Sequence, residues 1–288
     1  MRNGQRELTT YSRSSLGASL SGSPVTISLV IINLLVFLGL EATGGSQSNV
    51  NLYRWGAKYG PAIADGEWWR LGLPMFMHIG LFHLLTNSIG LLIFGSMAER
   101  IFGSFAYLAI YLVSGIVGNV ASFVMTPALG AGASGALFGV IGAFGVFLLL
   151  NRRLMGELGR QSLTTVAIII ALNIVIGFVS TGIDNAAHVG GLLTGGMMAY
   201  LIAPRQRLVI SPDMGGFGPP RLSVRSGAQR RAWVMIAVAI GLAVAVAGTY
   251  IRAQDYPNAD VFKREVYGFL DFSDREGRGL FDINIFGD

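Results

Sequence analysis

Ser134 and His188 are the residues of this chain best placed by type and setting to do chemistry together. Ser134 stands in Gly132-Ala133-Ser134-Gly135, where a glycine-rich loop runs into an apolar stretch that continues to Leu150. His188 stands in Asn185-Ala186-Ala187-His188-Val189-Gly190-Gly191 and opens a second apolar stretch. A serine hydroxyl is a weak nucleophile until a neighbouring base takes its proton. An ionisable side chain in a membrane-length stretch is costly, faces a protein interior or a wet cavity, and reads first as functional. The pair therefore suggests hydrolysis by an activated serine inside a bilayer.

The chain has three histidines, His78, His83 and His188. His188 is the best base, because its stretch starts on the same side as Ser134. The glycines after it, Gly190-Gly191 and Gly195-Gly196, put small residues on neighbouring turns, a packing pattern of membrane helices. His83 and Asn87 are one helical turn apart and share a face. They could supply the donors that a developing oxyanion needs. The blander reading makes the glycines packing residues and Asn87 a polar link to a neighbouring helix; it leaves His83 unexplained. Asp184, one turn before His188, could orient the imidazole or simply cap the helix that His188 opens.

Those residues need elements to hold them, and composition says which. Charged residues are 13% of the chain and hydrophobic residues 52%, whereas soluble proteins carry roughly 25% charge. Mean hydropathy is +0.57. Uncharged apolar runs of about 18 residues or more read as membrane spans. Seven are expected, at 25–40, 81–98, 105–124, 134–150, 164–179, 188–203 and 232–251. The first and fifth can extend into uncharged flanks, whereas the fourth and sixth have less room, as suits helices that start below the surface against a cavity. The expected fold is an all-α membrane bundle of six helices, with a seventh transmembrane helix after it.

The remaining segments follow from polarity. Residues 1–24 read as a flexible cytoplasmic arm, 25–203 as the six-span core, and 204–231 as a basic cytoplasmic linker rich in glycine and proline, without regular structure. Residues 232–251 form the seventh span and 252–288 a polar extracytoplasmic tail. The first apolar run lacks a small-residue cleavage site and reads as a span rather than a signal peptide. The connection 41–80 carries Tyr53, Trp55, Trp68 and Trp69, side chains suited to a membrane interface. Arginines at 100, 152, 153, 160, 205 and 207 flank spans and set the N-terminus inside by the positive-inside rule. Ser134 and His188 then both lie near the outer face. The net charge of +5 calls for anionic lipid as its counter-charge rather than nucleic acid. There is no cysteine, and three histidines without clustered carboxylates make a poor metal site. No metal and no organic cofactor are expected.

Taken together, the motifs resemble those of the rhomboid family of intramembrane serine proteases. The residues that carry the resemblance are Glu67-Trp68-Trp69-Arg70, His78, His83 and Asn87, Gly132-Ala133-Ser134-Gly135, and Ala187-His188-Val189-Gly190-Gly191, in family order across residues 25–203. The resemblance implies Ser134 as nucleophile and His188 as base, a dyad without an acid. It implies an oxyanion hole of His83, Asn87 and the Ser134 backbone N–H, supported by His78, Gly132 and Gly135. Phe138 matches the family's aromatic that stacks on the base, Trp69 and Arg70 a structural pair in the first outer loop, and Glu99 a helix-bonding acid. Asp184 is then a cap, and Asp184→Ala is expected to leave most activity. Single-span or other transmembrane proteins are the implied substrates, entering from the lipid bilayer beside the fifth span. The implied location is a bacterial inner membrane, with the site open to the extracytoplasmic side. Two rivals remain: a non-proteolytic rhomboid-like protein that binds transmembrane clients, and a small transporter.

Overall fold

The computed structural model describes residues 22–126, 128–180, 182–203, 207–209, 221–223 and 227–253. The cytoplasmic arm and the polar tail expected from the sequence lie almost wholly outside the described residues, as does most of the linker. Apart from one short ladder, the described chain is helical.

Helix α1 (Pro24–Ala42) opens on a proline at its first position, where the missing N–H costs nothing. The connection to the next long helix then holds two short helices, α2 (Asn49–Arg54) and α3 (Gly60–Ala64). Two 3-10 turns follow, Trp68–Leu71 and Leu73–Phe76. Helix α4 spans Leu81–Phe102 and loosens to π geometry over Leu91–Gly95. Helix α5 is Ser104–Met125. Helices α6 (Ser134–Arg153) and α7 (Met155–Val179) follow almost without a gap. They break at Gly156, whose φ of 54° and ψ of −137° leave the helical region at little cost for a residue without Cβ. Helix α8 is Asn185–Ile202 and α9 is Gly227–Ala253. Between them β1 (Arg207–Val209) pairs antiparallel with β2 (Arg221–Ser223), so the linker carries regular structure where the sequence suggested none.

Among the described residues, six helices are long and apolar enough to cross a membrane: α1, α4, α5, α6, α7 and α9. Helix α8, expected as a span, is not among them. Its glycines, Asn185 and His188 dilute its apolar content; one face packs against α6 and α5, while Val189, Leu193, Met197 and Tyr200 leave the opposite face exposed. Helix α6 is the centre of the bundle: 72% of its apolar stretch is buried, against 6% for α7. Of these six, α7 thus leaves the largest share of its surface exposed. The core around α6 is built from Tyr107, Ile110, Tyr111, Phe123, Val140 and Phe144 with Met198 and Ala199.

Glu99 ties three helices together, α1, α4 and α5. Its Oε1 accepts from the Val25 N–H at 3.0 Å and from Ser104 Oγ at 2.7 Å. Its Oε2 accepts from the Thr26 N–H and from Thr26 Oγ1, both at 2.8 Å. The first N–H groups of α1 have no partner within their own helix, and Ser23 does not cap them with its side chain. A carboxylate at the positive end of the helix does so instead. Glu99→Ala strands these donors, each buried one costing about 1–3 kcal/mol. The expected result is a thermal midpoint lower by about 5–10 °C, with Glu99→Gln intermediate, read by unfolding in detergent.

Candidate active site

The approach of α6 to α8 is set by glycine on both sides. A Cβ added to Gly191 would lie 1.9 Å from the Gly135 carbonyl oxygen, and one added to Gly195 would lie 1.9 Å from that of Gly139. Gly135 and Gly139 are one turn apart on α6, and Gly191 and Gly195 one turn apart on α8, so the backbones meet at two successive turns. Close contact of this kind is what small residues permit between membrane helices. A Cβ on Gly118 of α5 would come within 2.7 Å of the Ala187 carbonyl, so α8 is gripped from a second side.

That contact brings His188 beside the start of α6. Its ring stacks on Phe138, one turn after Ser134, with centroids 4.2 Å apart and planes 5° from parallel. The neighbouring Ala187 carbonyl sits 3.3 Å from where a Gly135 Cβ would stand. His188 is 6% exposed and Phe138 4%, while Ser134 is half-buried. Ser134 Oγ and His188 are not hydrogen-bonded to each other, and His188 Nδ1 has no hydrogen-bond partner among the described residues. Catalytic hydrogen bonds are often long in an unliganded site and tighten with substrate.

The opposite wall comes from α4. A Cβ on Gly132, whose φ is 152°, would lie 2.7 Å from His83 Cε1, 2.9 Å from His83 Nε2 and 3.6 Å from Ser134 Oγ. Only glycine leaves room for that imidazole beside the serine. Asn87 is buried, and its Nδ2 donates one proton to the His83 carbonyl at 3.0 Å. An amide nitrogen carries two protons, so one is left to aim elsewhere.

His78 holds the loop from behind. It is fully buried, meets His83 edge-on with centroids 5.2 Å apart, and lies 3.5 Å from the Ala133 N–H, which points at its Nε2. The Gly132 N–H donates to the Pro74 carbonyl at 2.9 Å. Tyr111 and Asn119 of α5 fasten the same segment through the Met75 and Leu71 carbonyls. Burial above all, with His83 adding to it, pushes His78 down to about 3. The unfolded chain protonates an ordinary histidine near pH 6.5, so between those values the unfolded state binds the extra proton. Stability carried by neutral His78 is therefore complete above about pH 6.5 and is lost as the pH falls toward 3. Unfolding midpoints measured from pH 7 to 4 should fall more steeply for the natural protein than for His78→Gln.

Arg70 and Trp69 stand apart from this cluster. Arg70 is buried, with Nε 2.6 Å from Glu67 Oε2 and Nη1 donating to the Tyr53 and Ala57 carbonyls at 2.8 and 3.1 Å. Its guanidinium also lies 4.0 Å over the Tyr53 ring. It ties the outer connection together, whereas Trp69 is 55% exposed and touches no reacting group. Asp184 is the N-cap of α8: its Oδ1 accepts from the Ala187 N–H at 3.0 Å. Its other oxygen accepts from Ser122, so neither oxygen bonds His188 Nδ1. Sequence reasoning missed Lys58 and Ser122. Lys58 falls in the 41–80 connection, yet it is 1% exposed and bonded to Ser122; its position between the apolar Ala57 and the aromatic Tyr59 is the available signal.

Known proteins agree with this frame. Residues 65–205 match the family model for the rhomboid domain. Rhomboid protease GluP of Bacillus subtilis (strain 168) is 39% identical over 222 residues, covering 77% of this chain and 40% of its own length. YdcA of the same strain, also named as a rhomboid, is 33% identical over 150 residues, covering 51% of this chain and 74% of its own. Rhomboid protease AarA of Providencia stuartii is 29% identical over 215 residues, covering 65% of this chain and 76% of its own. The chain thus spans well under half of GluP but about three quarters of the other two. With its apolar helices and these relatives, the chain is an integral membrane protein and belongs to the rhomboid family.

Proposed function

We propose that this protein is an intramembrane serine endopeptidase that cleaves membrane-protein substrates in or near their transmembrane segments. The observation that carries the reading is the glycine-paired contact of α6 with α8, which stacks the His188 imidazole on Phe138 one turn from Ser134. Two relatives are named rhomboid proteases, which supports the same class of activity.

Ser134 Oγ attacks the scissile carbonyl carbon while His188 takes the hydroxyl proton. The negative charge that develops on the carbonyl oxygen is met by His83, by the second Asn87 amide proton and by the Ser134 backbone N–H. Collapse of this intermediate expels the amine, which leaves with the proton from His188. A water, deprotonated by His188 in turn, hydrolyses the acyl-enzyme and restores Ser134. Phe138 holds the imidazole plane through both steps. His188 Nδ1 has no partner among the described residues, which supports a base that works without a carboxylate, as a dyad.

Backbone carbonyls of an intact substrate helix are bonded internally and shielded, so the substrate must unwind locally before attack. Single-span substrates enter beside α7, whose sparse packing favours that side. Helix α8 crosses inside the bundle and α9 follows as a seventh span. The N-terminus is cytoplasmic, the membrane a bacterial inner membrane, and the site opens outward. The test is purified protein in lipid vesicles with single-span reporters, the fragments mapped by mass. Cleavage near the outer end of the reporter helix is expected. A reporter that binds but stays intact supports the non-proteolytic, client-binding reading and overturns this one.

A further inference from the structure

A buried cation lies behind the two segments that carry Ser134 and His188. Lys58, between α2 and α3, is 1% exposed. Its N–H and carbonyl pair with Gly130 at 2.8 and 2.9 Å, just ahead of Gly132. Its Nζ donates to Ser122 Oγ at 2.8 Å and to the Thr126 carbonyl at 3.0 Å, at the outer end of α5. The Ser122 hydroxyl in turn donates to Asp184 Oδ2. Asp184 caps α8, and its backbone carbonyl accepts from the His188 N–H at 3.1 Å. A Cβ on Gly130 would touch both the Lys58 stem, at 3.5 Å, and Asp184 Oδ2, at 3.7 Å. The cation and the carboxylate therefore face each other across this glycine and one serine hydroxyl.

An ammonium taken out of water is expensive, and apolar residues of similar volume would often hold such a site more cheaply. A polar link that is fully satisfied does something apolar packing does not: it fixes register. This link joins the loop before Ser134 to the first turn of the helix that presents His188.

We infer that Lys58, Ser122 and Asp184 form a positioning network that sets the base against the nucleophile. The inference rests on the protease reading above. None of the three touches the scissile bond, so they are positioning residues and not catalytic ones. The groups facing Lys58 are Asp184 from the start of α8, Ser122 and the Thr126 carbonyl from α5, and the Gly130 backbone; Asp184 is the charged one among them. Burial above all pulls Lys58 down to about 8, with Asp184 opposing the shift. Deprotonation of Lys58 leaves Asp184 without its counter-charge. Turnover should therefore decline as the pH rises through about 8.

The test measures kcat and KM against pH for the full-length protein and three variants: Lys58→Met, Asp184→Asn and the double variant. Asparagine keeps the capping acceptor but not the charge. Each single variant should lose about tenfold in kcat with KM nearly unchanged, and the double variant should regain most of the loss, since neighbours in one network are non-additive. The alkaline decline should vanish when Lys58 is replaced. That replaces the expectation that Asp184→Ala leaves most activity: this variant should lose at least as much as Asp184→Asn, because alanine removes the capping acceptor as well. Losses that multiply in the double variant, or a Lys58→Met enzyme with natural kcat and alkaline decline, overturn the inference while leaving the protease reading intact. A natural protein that cleaves nothing overturns both. Should Lys58→Met fail to fold, Lys58→Arg decides: guanidinium stays charged well beyond pH 8, so an alkaline decline that persists in this variant also overturns the inference.

Discussion

Ser134→Ala and His188→Ala each lose about 10⁴-fold or more in cleavage of a single-span reporter, while protein level and thermal midpoint stay near those of the natural chain. The magnitude follows from the roles. Members of a nucleophile–base unit act together, so that removing either one costs nearly as much as removing both. Ser134 is half-buried, so its hydroxyl can be deleted with little structural penalty. The double variant should be no worse than either single one. Asn87→Ala forms a useful contrast: the loss of one oxyanion donor is worth about 10²–10³-fold. An Asn87 variant as inactive as Ser134→Ala but also unfolded would make that residue a helix link instead. Initial rates in vesicles, with reporter and enzyme at fixed ratio to lipid, separate these outcomes.

Gly191→Ala should be the most damaging change outside the reacting groups. Its methyl would fall 1.9 Å from the Gly135 carbonyl oxygen, and both partners are backbone, so no rotamer change relieves the clash. The helices must part by more than 1 Å at the turn that sets His188 beside Ser134. Misplacement on that scale costs about 10²-fold in rate, and the thermal midpoint falls as well. Gly195→Ala, one turn deeper, carries the same clash with Gly139 and should cost as much stability but less activity, because it lies farther from the base. Gly196→Ala is the control. Its added Cβ would meet only a Val146 methyl at 3.5 Å and the Gly142 carbonyl oxygen at 3.9 Å, ordinary contacts, and activity should be retained.

Much of this arrangement is legible in residue order. The apolar runs mark the helices, because a bilayer leaves the backbone few other ways to satisfy its hydrogen bonds. Ser134 and His188 each open a run, and the structure gathers both at one end of the α6–α8 contact, with His83 and Phe138 beside them. Glycine spacing hinted at that contact, but the pairing of Gly135 with Gly191 and of Gly139 with Gly195 is a matter of tertiary register that no local pattern encodes. Helix α8 shows the limit of hydropathy. The glycines that let it pack so closely also lower its apolar content, so that by composition alone it falls outside the set of helices able to span. Lys58 shows the opposite limit. A lysine in a connection between spans reads as solvated, and only the packing of α5 and Asp184 over it reveals a buried ion. The arginines differ among themselves for the same reason: Arg70 is held by Glu67 and two backbone carbonyls in the loop interior, while Arg160 pairs with Glu157 at the exposed surface.

The claim on which the rest depends is that Ser134 Oγ gives up its proton to His188. Treatment of the purified protein with a fluorophosphonate, followed by intact mass and peptide mapping, tests this most directly, since the reagent phosphonylates an activated serine and needs no substrate to be known. One phosphonyl adduct on Ser134 is predicted, absent from Ser134→Ala and strongly slowed in His188→Ala. Labelling that leaves Ser134 untouched, or that proceeds at the natural rate without His188, would contradict the account.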